Sequence, residues 1–324
     1  MRAVLIVNPT ATSTTPAGRD LVAHALTSRL QLTVEHTTHR GHAEELGHAA
    51  VADGVDLVVV HGGDGTVSGV VNGMLGSPAA PAYPPGSAIP AVAVVPGGSA
   101  NVLVRSLGVS RDPAAATNQI IQLIDDYQRR GQWRRISLID CGERWALVNA
   151  GLGVDAEVVA GVEACRNKGK KVTPLRYWRV AVPTAVRFSR RDPTLTLELP
   201  DRDPIAGVHF AWVSNTRPWT YSDDTPMVTN PGCSFESGLG VFAVDDMRVI
   251  PTVGLLRQLL AKRPDPQAEQ LIRDDDVAWA RITSTAAPAA CQFDGDYVGE
   301  RQTMTFRAVT DALAVVAPPA KYQR

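Results

Sequence analysis

The chain has 324 residues, enough for two domains with separate cores. Hydrophobic residues at 44%, charged residues at 20% and a net charge of −1 describe an ordinary globular chain with no global field to recruit nucleic acid, so no nucleic-acid partner is expected. The four cysteines, Cys141, Cys165, Cys233 and Cys291, form no C-x-x-C pair and read as reduced thiols, without a zinc site or a disulfide framework.

The apolar run Ala3–Val7 is too short for a signal peptide, and no stretch reaches the roughly 18 apolar residues of a membrane-spanning helix. The expectation is a cytoplasmic protein that meets a membrane only from the side. "AVLIV" (3–7) is a buried strand ending at Asn8-Pro9, and residues 16–30 place Leu21, Val22, Ala25, Leu26 and Leu30 at helical spacing. "LTVEHTT" (32–38) alternates as a strand does, and residues 42–53 are Ala-rich and helical. "DLVVV" (56–60) is a strand, "TVSGVVNGML" (66–75) a helix and "AVAVVP" (91–96) another strand. Continuous apolar strands interleaved with helices predict an α/β domain with a parallel, Rossmann-like sheet covered on both faces. In such sheets ligands sit beyond the carboxyl ends of the strands, where Asn8-Pro9, Gly62–Thr66 and Pro96–Asn101 fall. The Pro- and Gly-rich stretch 76–90 is expected to be a surface loop.

Past residue 131 short alternating segments such as "RRISLIDCG", "TLTLELP", "GVFAVDDMRV" and "MTFRAV" predict a β-rich antiparallel second domain. Helical inserts are expected near 155–190 and 251–262. The expected division is 1–131, 132–310, and a C-terminal segment 311–324 that packs back on the first domain.

Two loops carry the chemistry. In "VVVHGGDGTVSGVVNGM" (58–74) three glycines surround one aspartate directly after a strand. Glycines allow backbone N–H groups to face an oxyanion, the following helix N-terminus adds its dipole, and Thr66 offers a hydroxyl: a phosphate cradle. An aspartate inside an anion cradle makes sense with a cation beside it, so Asp64 implies Mg²⁺. On this reading Asp64→Asn abolishes activity and leaves stability nearly unchanged, because the charge sits in an open site. The loop lacks the G-K-[ST] of a Walker A motif and the spacing of G-x-G-x-x-G. "VVPGGSANVLVRSLG" (94–108) repeats the logic, with Gly97 and Gly98 exposing backbone and Ser99 and Asn101 supplying polar side chains. Ser99 could equally cap the helix that follows.

G62-G63-D64-G65-T66, then P96-G97-G98-S99-A100-N101, with N8-P9 at the first strand end, resembles the soluble bacterial diacylglycerol kinase and sphingosine kinase-like lipid kinases. The resemblance continues through "NAGLGVDAEVV" (149–159) and "FDGDYVGE" (293–300), so it covers most of the chain. It implies a nucleotide-binding domain, a β-rich second domain and transfer of phosphate from ATP, with Mg²⁺, to the hydroxyl of a membrane lipid, diacylglycerol first. The nucleotide contacts it implies are Asn8, Pro9, Thr10, Thr37, Gly62, Gly63, Asp64, Gly65, Thr66, Gly98, Ser99 and Asn101, with Thr38 an equally polar neighbour of Thr37. Its catalytic residues map onto Asp64, Asp294 and Asp296, and its metal ligands onto Asp64 and Asp294.

Three departures stand out. Relatives end the catalytic motif D-G-E, whereas this chain reads D294-G295-D296; Asp296 is shorter by roughly 1.3–1.5 Å, and Glu300 is an alternative base. Asp294-Gly295 is also a hairpin signal in its own right. Ser237 in "CSFESGLG" (233–240) stands where relatives carry an aspartate for a structural metal, and Val102 stands where many place an acid. Finally, "RNKGKKVTPLRYWRVAVPTAVRFSRR" (166–191) carries nine Lys/Arg and no acid, which reads as a peripheral contact with anionic membrane or as a solvated face. The alternatives are an NAD kinase-like enzyme, which shares the G-G-D-G-T loop, and a catalytically weakened lipid- or nucleotide-binding protein. A homodimer is compatible with either.

Overall fold

The structure, a computed structural model, describes residues 1–83, 88–153, 156–157, 192–222, 225–259, 261 and 264–320. The basic segment 166–191 lies outside the described residues, as does nearly all of the helical insert expected near 155–190. The chain divides into two compact units. The first comprises Met1–Leu138, Gly142–Trp145 and Thr310–Arg324; the second comprises Ile139–Cys141 and Ala146–Val309.

The first unit is the parallel α/β layer structure. Its elements are β1 (Arg2–Val7), α1 (Pro16–Thr27), β2 (Gln31–His36), α2 (His42–Ala52), β3 (Leu57–Gly62), α3 (Asp64–Leu75), β4 (Ala91–Pro96), α4 (Val102–Ser106) and α5 (Pro113–Arg130). The strands are parallel in the order β4-β3-β1-β2. Val315, the last residue of a strand that begins at Thr303, extends the sheet beside Val92 of β4.

Strand alternation explains how both faces are covered. Ala3, Leu5, Val7, Leu57, Val59, Ala91, Ala93 and Val95 share one apolar cluster with Val22 and Leu26 of α1 and Ile120 and Ile124 of α5. The intervening Val4, Ile6, Val58, Val60, Val92 and Val94 point the other way and are equally buried, under α2 and α3. Helix α5 lacks a clear glycine or charge signature, yet its ends are well marked: Asp112 caps the N-terminus by accepting from the Ala115 N–H at 2.8 Å, and Gly131 closes it at φ 70°.

Helices α2 and α3 meet backbone to backbone. A Cβ on Gly47 would fall 2.2 Å from the carbonyl oxygen of Val70, and one on Gly73 would fall 1.9 Å from that of Glu44. No side chain fits at either position.

The second unit is antiparallel. One six-stranded sheet runs Leu271–Val277, Leu239–Val244, Phe210–Ser214, Asn149–Leu152, Ala289–Phe293, Asp296–Arg301 in spatial order. Leu195–Glu198 pairs with Ile205–Val208 on one side and Trp279–Ser284 on the other, and the latter pairs with the first part of Thr303–Val315. Leu152, Val213, Val241 and Phe293 from the first group share one core with Leu197, Ile282 and Phe306 from the second. A helix, Val249–Leu259, follows the Leu239–Val244 strand. Cys141, Cys233 and Cys291 are buried free thiols, and burial pushes the Cys233 thiol up to about 12.

Candidate active site

The strand order of the first unit fixes where its loops gather. From β1 the chain steps to β2 on one side and then to β3 on the other, so β1 and β3 flank the switch point, where open α/β sheets leave a crevice at their carboxyl ends. Asn8 leaves β1 and Gly63 leaves β3 at that point, with Gly97 one strand further on.

The glycines have a packing role that their sequence positions alone do not show. A Cβ on Gly98 would sit 2.7 Å from the Cα of Gly63, and one on Gly97 would sit 2.9 Å from the Cα of Gly62. The two glycine-rich loops therefore touch backbone to backbone. The Gly97 N–H donates to the Gly62 carbonyl at 2.8 Å, and the Ser13 N–H donates to the Gly97 carbonyl at 2.9 Å.

Several candidate residues shape these loops from inside. Asn8 Nδ2 donates to Thr66 Oγ1 at 3.0 Å, while the Thr10 N–H and hydroxyl both donate to Asn8 Oδ1. Asn101 adopts the left-handed conformation (φ 48°) and closes a turn with Gly98, accepting from its N–H at 2.9 Å and donating to its carbonyl at 2.7 Å. Thr66 and Asn101 are buried; Pro9, Thr10, Gly65 and Ser99 are exposed. Thr37 is half-buried at the end of β2, its N–H bonded to the Val7 carbonyl. Thr38 is engaged elsewhere, its hydroxyl lying 3.0 Å from both the His39 and His42 rings.

Asp64 departs most from the sequence-based reading. Its Oδ2 accepts from the Val102 N–H at 3.0 Å and its Oδ1 from the Leu103 N–H at 3.1 Å. The carboxylate thus fastens the first glycine loop to the start of α4, and Val102 supplies one of the amides. Burial pushes the Asp64 carboxyl above its ordinary range, and the Val102 and Leu103 amides draw it back. The expectation that Asp64 stands in an open site with no partner to lose is corrected on this geometry. The Asp64 and Asn101 amides also face the carboxylate, so a cation carried in with phosphates would share its oxygens with backbone donors.

In the second unit Asp294-Gly295 is a two-residue hairpin turn. Phe293 pairs with Asp296, and both turn residues have positive φ, 50° and 81°, as a type I′ turn requires. Asp294 Oδ1 accepts the N–H groups of Leu147, Val148 and Asn149 at 3.0, 2.8 and 3.3 Å, and its own N–H donates to the Asn149 carbonyl. Its carboxylate holds the loop that leads into Asn149–Leu152. The structure therefore gives Asp294 an anchoring task where a metal ligand was expected. Beneath the turn, buried Gln292 donates to Asn149 Oδ1 and accepts from the Gly295 N–H. Asn149 and Gln292 were not among the candidate residues, although both fall inside or beside the quoted motifs.

Asp296 is exposed and opens the strand after the turn; Glu300, also exposed, lies opposite Ala290 on the same strand. Ser237 closes the Cys233–Gly238 turn by itself, donating to the Ser234 carbonyl at 3.0 Å and accepting from the Ser234 N–H. Among the described residues no group of three or more His, Cys, Asp or Glu side chains is arranged to hold a metal ion.

Comparison with known proteins agrees with this layout. The model of the diacylglycerol kinase catalytic domain matches residues 2–127, which span both glycine loops. A probable lipid kinase, YegS-like, of Stenotrophomonas maltophilia is 35% identical over 304 residues, covering 88% of this chain and 86% of that protein. A diacylglycerol kinase of Bacillus subtilis is 32% identical over 145 residues, 41% of this chain and 43% of its own. Crystal structures of a diacylglycerol kinase and a putative diacylglycerol kinase from Bacillus anthracis share the fold, with TM-scores of 0.70 and 0.72 at 17% and 18% identity over 98% of this chain and 97% of theirs. The NAD kinase-like alternative gives way, and the chain belongs to the lipid kinases built on the diacylglycerol kinase catalytic domain.

Proposed function

We propose that this lipid kinase transfers the γ-phosphoryl group of ATP to the free hydroxyl of diacylglycerol, forming phosphatidic acid and ADP. The observation that carries the reading is the pair of backbone-apposed glycine loops at the switch point of the first unit, within the matched catalytic domain. Side chains at Gly63, Gly97 or Gly98 would force the loops apart, and one at Gly62 would strike Thr66, which is what a fixed phosphate cradle must avoid. Gly63–Thr66 and Ser99 would hold the phosphates, and Asn8, Thr10 and Thr37 the nucleoside. Mg²⁺ brought in with ATP would neutralise phosphate charge, with Asp64 the carboxylate beside it. Diacylglycerol is favoured over other lipid hydroxyls because the Bacillus subtilis relative bears that name.

Asp296 is assigned as the base. As the acceptor oxygen bonds to phosphorus and the bridging oxygen departs with ADP, the hydroxyl proton passes to an Asp296 carboxylate oxygen. Phosphoryl transfer depends mainly on positioning and charge, so the shorter side chain can serve. Incubation with labelled ATP and a panel of lipid alcohols should label diacylglycerol first. Asp296→Asn should lower turnover by about 10²–10⁴-fold at unchanged apparent ATP affinity, and Asp296→Glu should keep activity. Normal turnover in Asp296→Asn with a dead Glu300→Gln would move the base to Glu300. Because its proposed acceptor is a membrane lipid, we expect the enzyme to work at the cytoplasmic face of a membrane; among the described residues no helix is long and apolar enough to cross a bilayer.

A further inference from the structure

The helix Val249–Leu259 carries two unlike faces. Leu255 and Leu259 are buried in an aromatic cluster with Phe210, Trp212, Phe242 and Met247. At 100° per residue, Ile250, Val253, Gly254 and Arg257 fall on the opposite side, with Leu256 at its flank. Ile250 is 86% exposed, Val253 50% and Leu256 40%, which makes them three of the five large hydrophobic side chains exposed among the described residues. Scattered exposed aliphatics need no explanation, but three on one helix turned away from the core do.

The helix is held at both ends. Gln270 Nε2 donates to the Pro251 carbonyl at 2.7 Å, and Gln258 Oε1 accepts from the Gln267 N–H at 2.7 Å. The outward face is a fixed surface.

From this geometry we infer that the Ile250–Val253–Leu256 face is a membrane-docking element that settles into the headgroup–acyl boundary of anionic phospholipid. Charge favours this occupant. The helix contains no acid; exposed Arg257 lies within the apolar face, where its stem can lie along acyl chains while the guanidinium reaches phosphate. Of the two acids that precede the helix, Asp246 is bound to Arg248. A second copy of the chain is a poorer partner. The helix is roughly 17 Å long, and a strip about 10 Å wide offers on the order of 170 Å², well short of the ~800 Å² per partner of a stable interface. The inference rests on the lipid-kinase reading for its purpose and is separate from the basic segment 166–191.

The test is co-sedimentation of the full chain with vesicles of phosphatidylcholine containing phosphatidylglycerol. The triple variant Ile250→Ser, Val253→Ser, Leu256→Ser should bind these vesicles at least about tenfold more weakly, since each side chain withdraws buried methylenes from the bilayer. Arg257→Gln should weaken binding severalfold, and only when the lipid is anionic. Turnover of a short-chain diacylglycerol dispersed in detergent should be unchanged in both variants, so the docking face and the assigned reaction fail separately. Vesicle binding by the triple variant equal to that of the parent chain would overturn the inference. So would no vesicle binding by the parent chain, or a concentration-dependent dimer in sedimentation velocity that the triple variant abolishes.

Discussion

Replacing Asp64 by asparagine separates two jobs that an activity assay alone would merge. The carboxylate accepts one amide on each oxygen, Val102 at 3.0 Å and Leu103 at 3.1 Å. Asparagine offers one acceptor and one NH₂, so one bond persists in weaker, uncharged form while the other amide faces a donor. Hydrogen bonds to charged groups contribute about 1.5–3 kcal/mol, and neutral ones roughly half as much. Solvent reaches the half-buried site, and the asparagine escapes the penalty of burying a charge, so the lower end applies. The net loss is then about 2 kcal/mol, or a melting temperature lower by about 4–8 °C for a domain of this size. Thermal unfolding of the nucleotide-free protein measures this directly, with urea unfolding as a check on two-state behaviour. If the variant melts within a degree of the parent chain while its kinase activity vanishes, the amide clamp contributes nothing to stability, and Asp64 acts on the nucleotide and its cation alone.

Asp294→Asn tests the second carboxylate anchor at the same backbone conformation, because asparagine tolerates positive φ. It should destabilise by about 2–4 kcal/mol in urea unfolding, and an unchanged midpoint would show that the Leu147–Asn149 amides do not depend on the charge. Gly98→Ala places a Cβ 2.7 Å from Gly63 Cα and should lower stability by about 1–3 kcal/mol and weaken nucleotide binding together; a loss of one without the other would uncouple the loop contact from the cradle. His61 is buried at the end of β3 with Nδ1–H donating to the Val95 carbonyl, and burial lowers its pKa. The unfolded chain then takes up a proton that the folded chain refuses, so stability should hold above about pH 6.5 and decline as pH falls below it. In His61→Gln that part of the decline should be missing, and equal pH slopes in the two proteins would contradict it.

The parallel sheet was legible because fully buried strands leave continuous apolar runs: 3–7, 56–60 and 91–96 lie within one residue or two of β1, β3 and β4. The helix read as 66–75 begins two residues earlier, at Asp64, because Asp64 and Gly65 themselves form its first turn. The helix expected at 251–262 is Val249–Leu259, shifted by Pro251, which fits the first helical turn rather than preceding it. The loops around Asn8, Gly62–Thr66 and Gly97–Asn101 were legible as one site, but the tasks of their side chains were not. Nothing local to Asp64 indicates that its partners are the amides of Val102 and Leu103, and nothing local to Asp294 points to Leu147–Asn149. Both are long-range contacts to backbone, which carries no residue-specific signal. The Gln292–Asn149 pair, side chain to side chain, is hidden for a different reason: a buried amide among strand residues looks like any other polar position until its partner is placed.

The close meeting of α2 and α3 bears on what holds the first glycine loop in shape. Gly65, Gly69 and Gly73 recur every fourth residue of α3, and each weakens an isolated helix by about 0.5–1 kcal/mol relative to alanine. Twelve residues with that deficit do not hold a helix in water unaided. Only when Gly73 settles against the Glu44 carbonyl and Gly47 against that of Val70 does the segment gain the packing that offsets it. The turn that presents Gly62–Thr66 is therefore not held by local structure alone; it depends on the packing of α3 against α2. Without that contact the segment keeps neither the helix nor the turn that opens it.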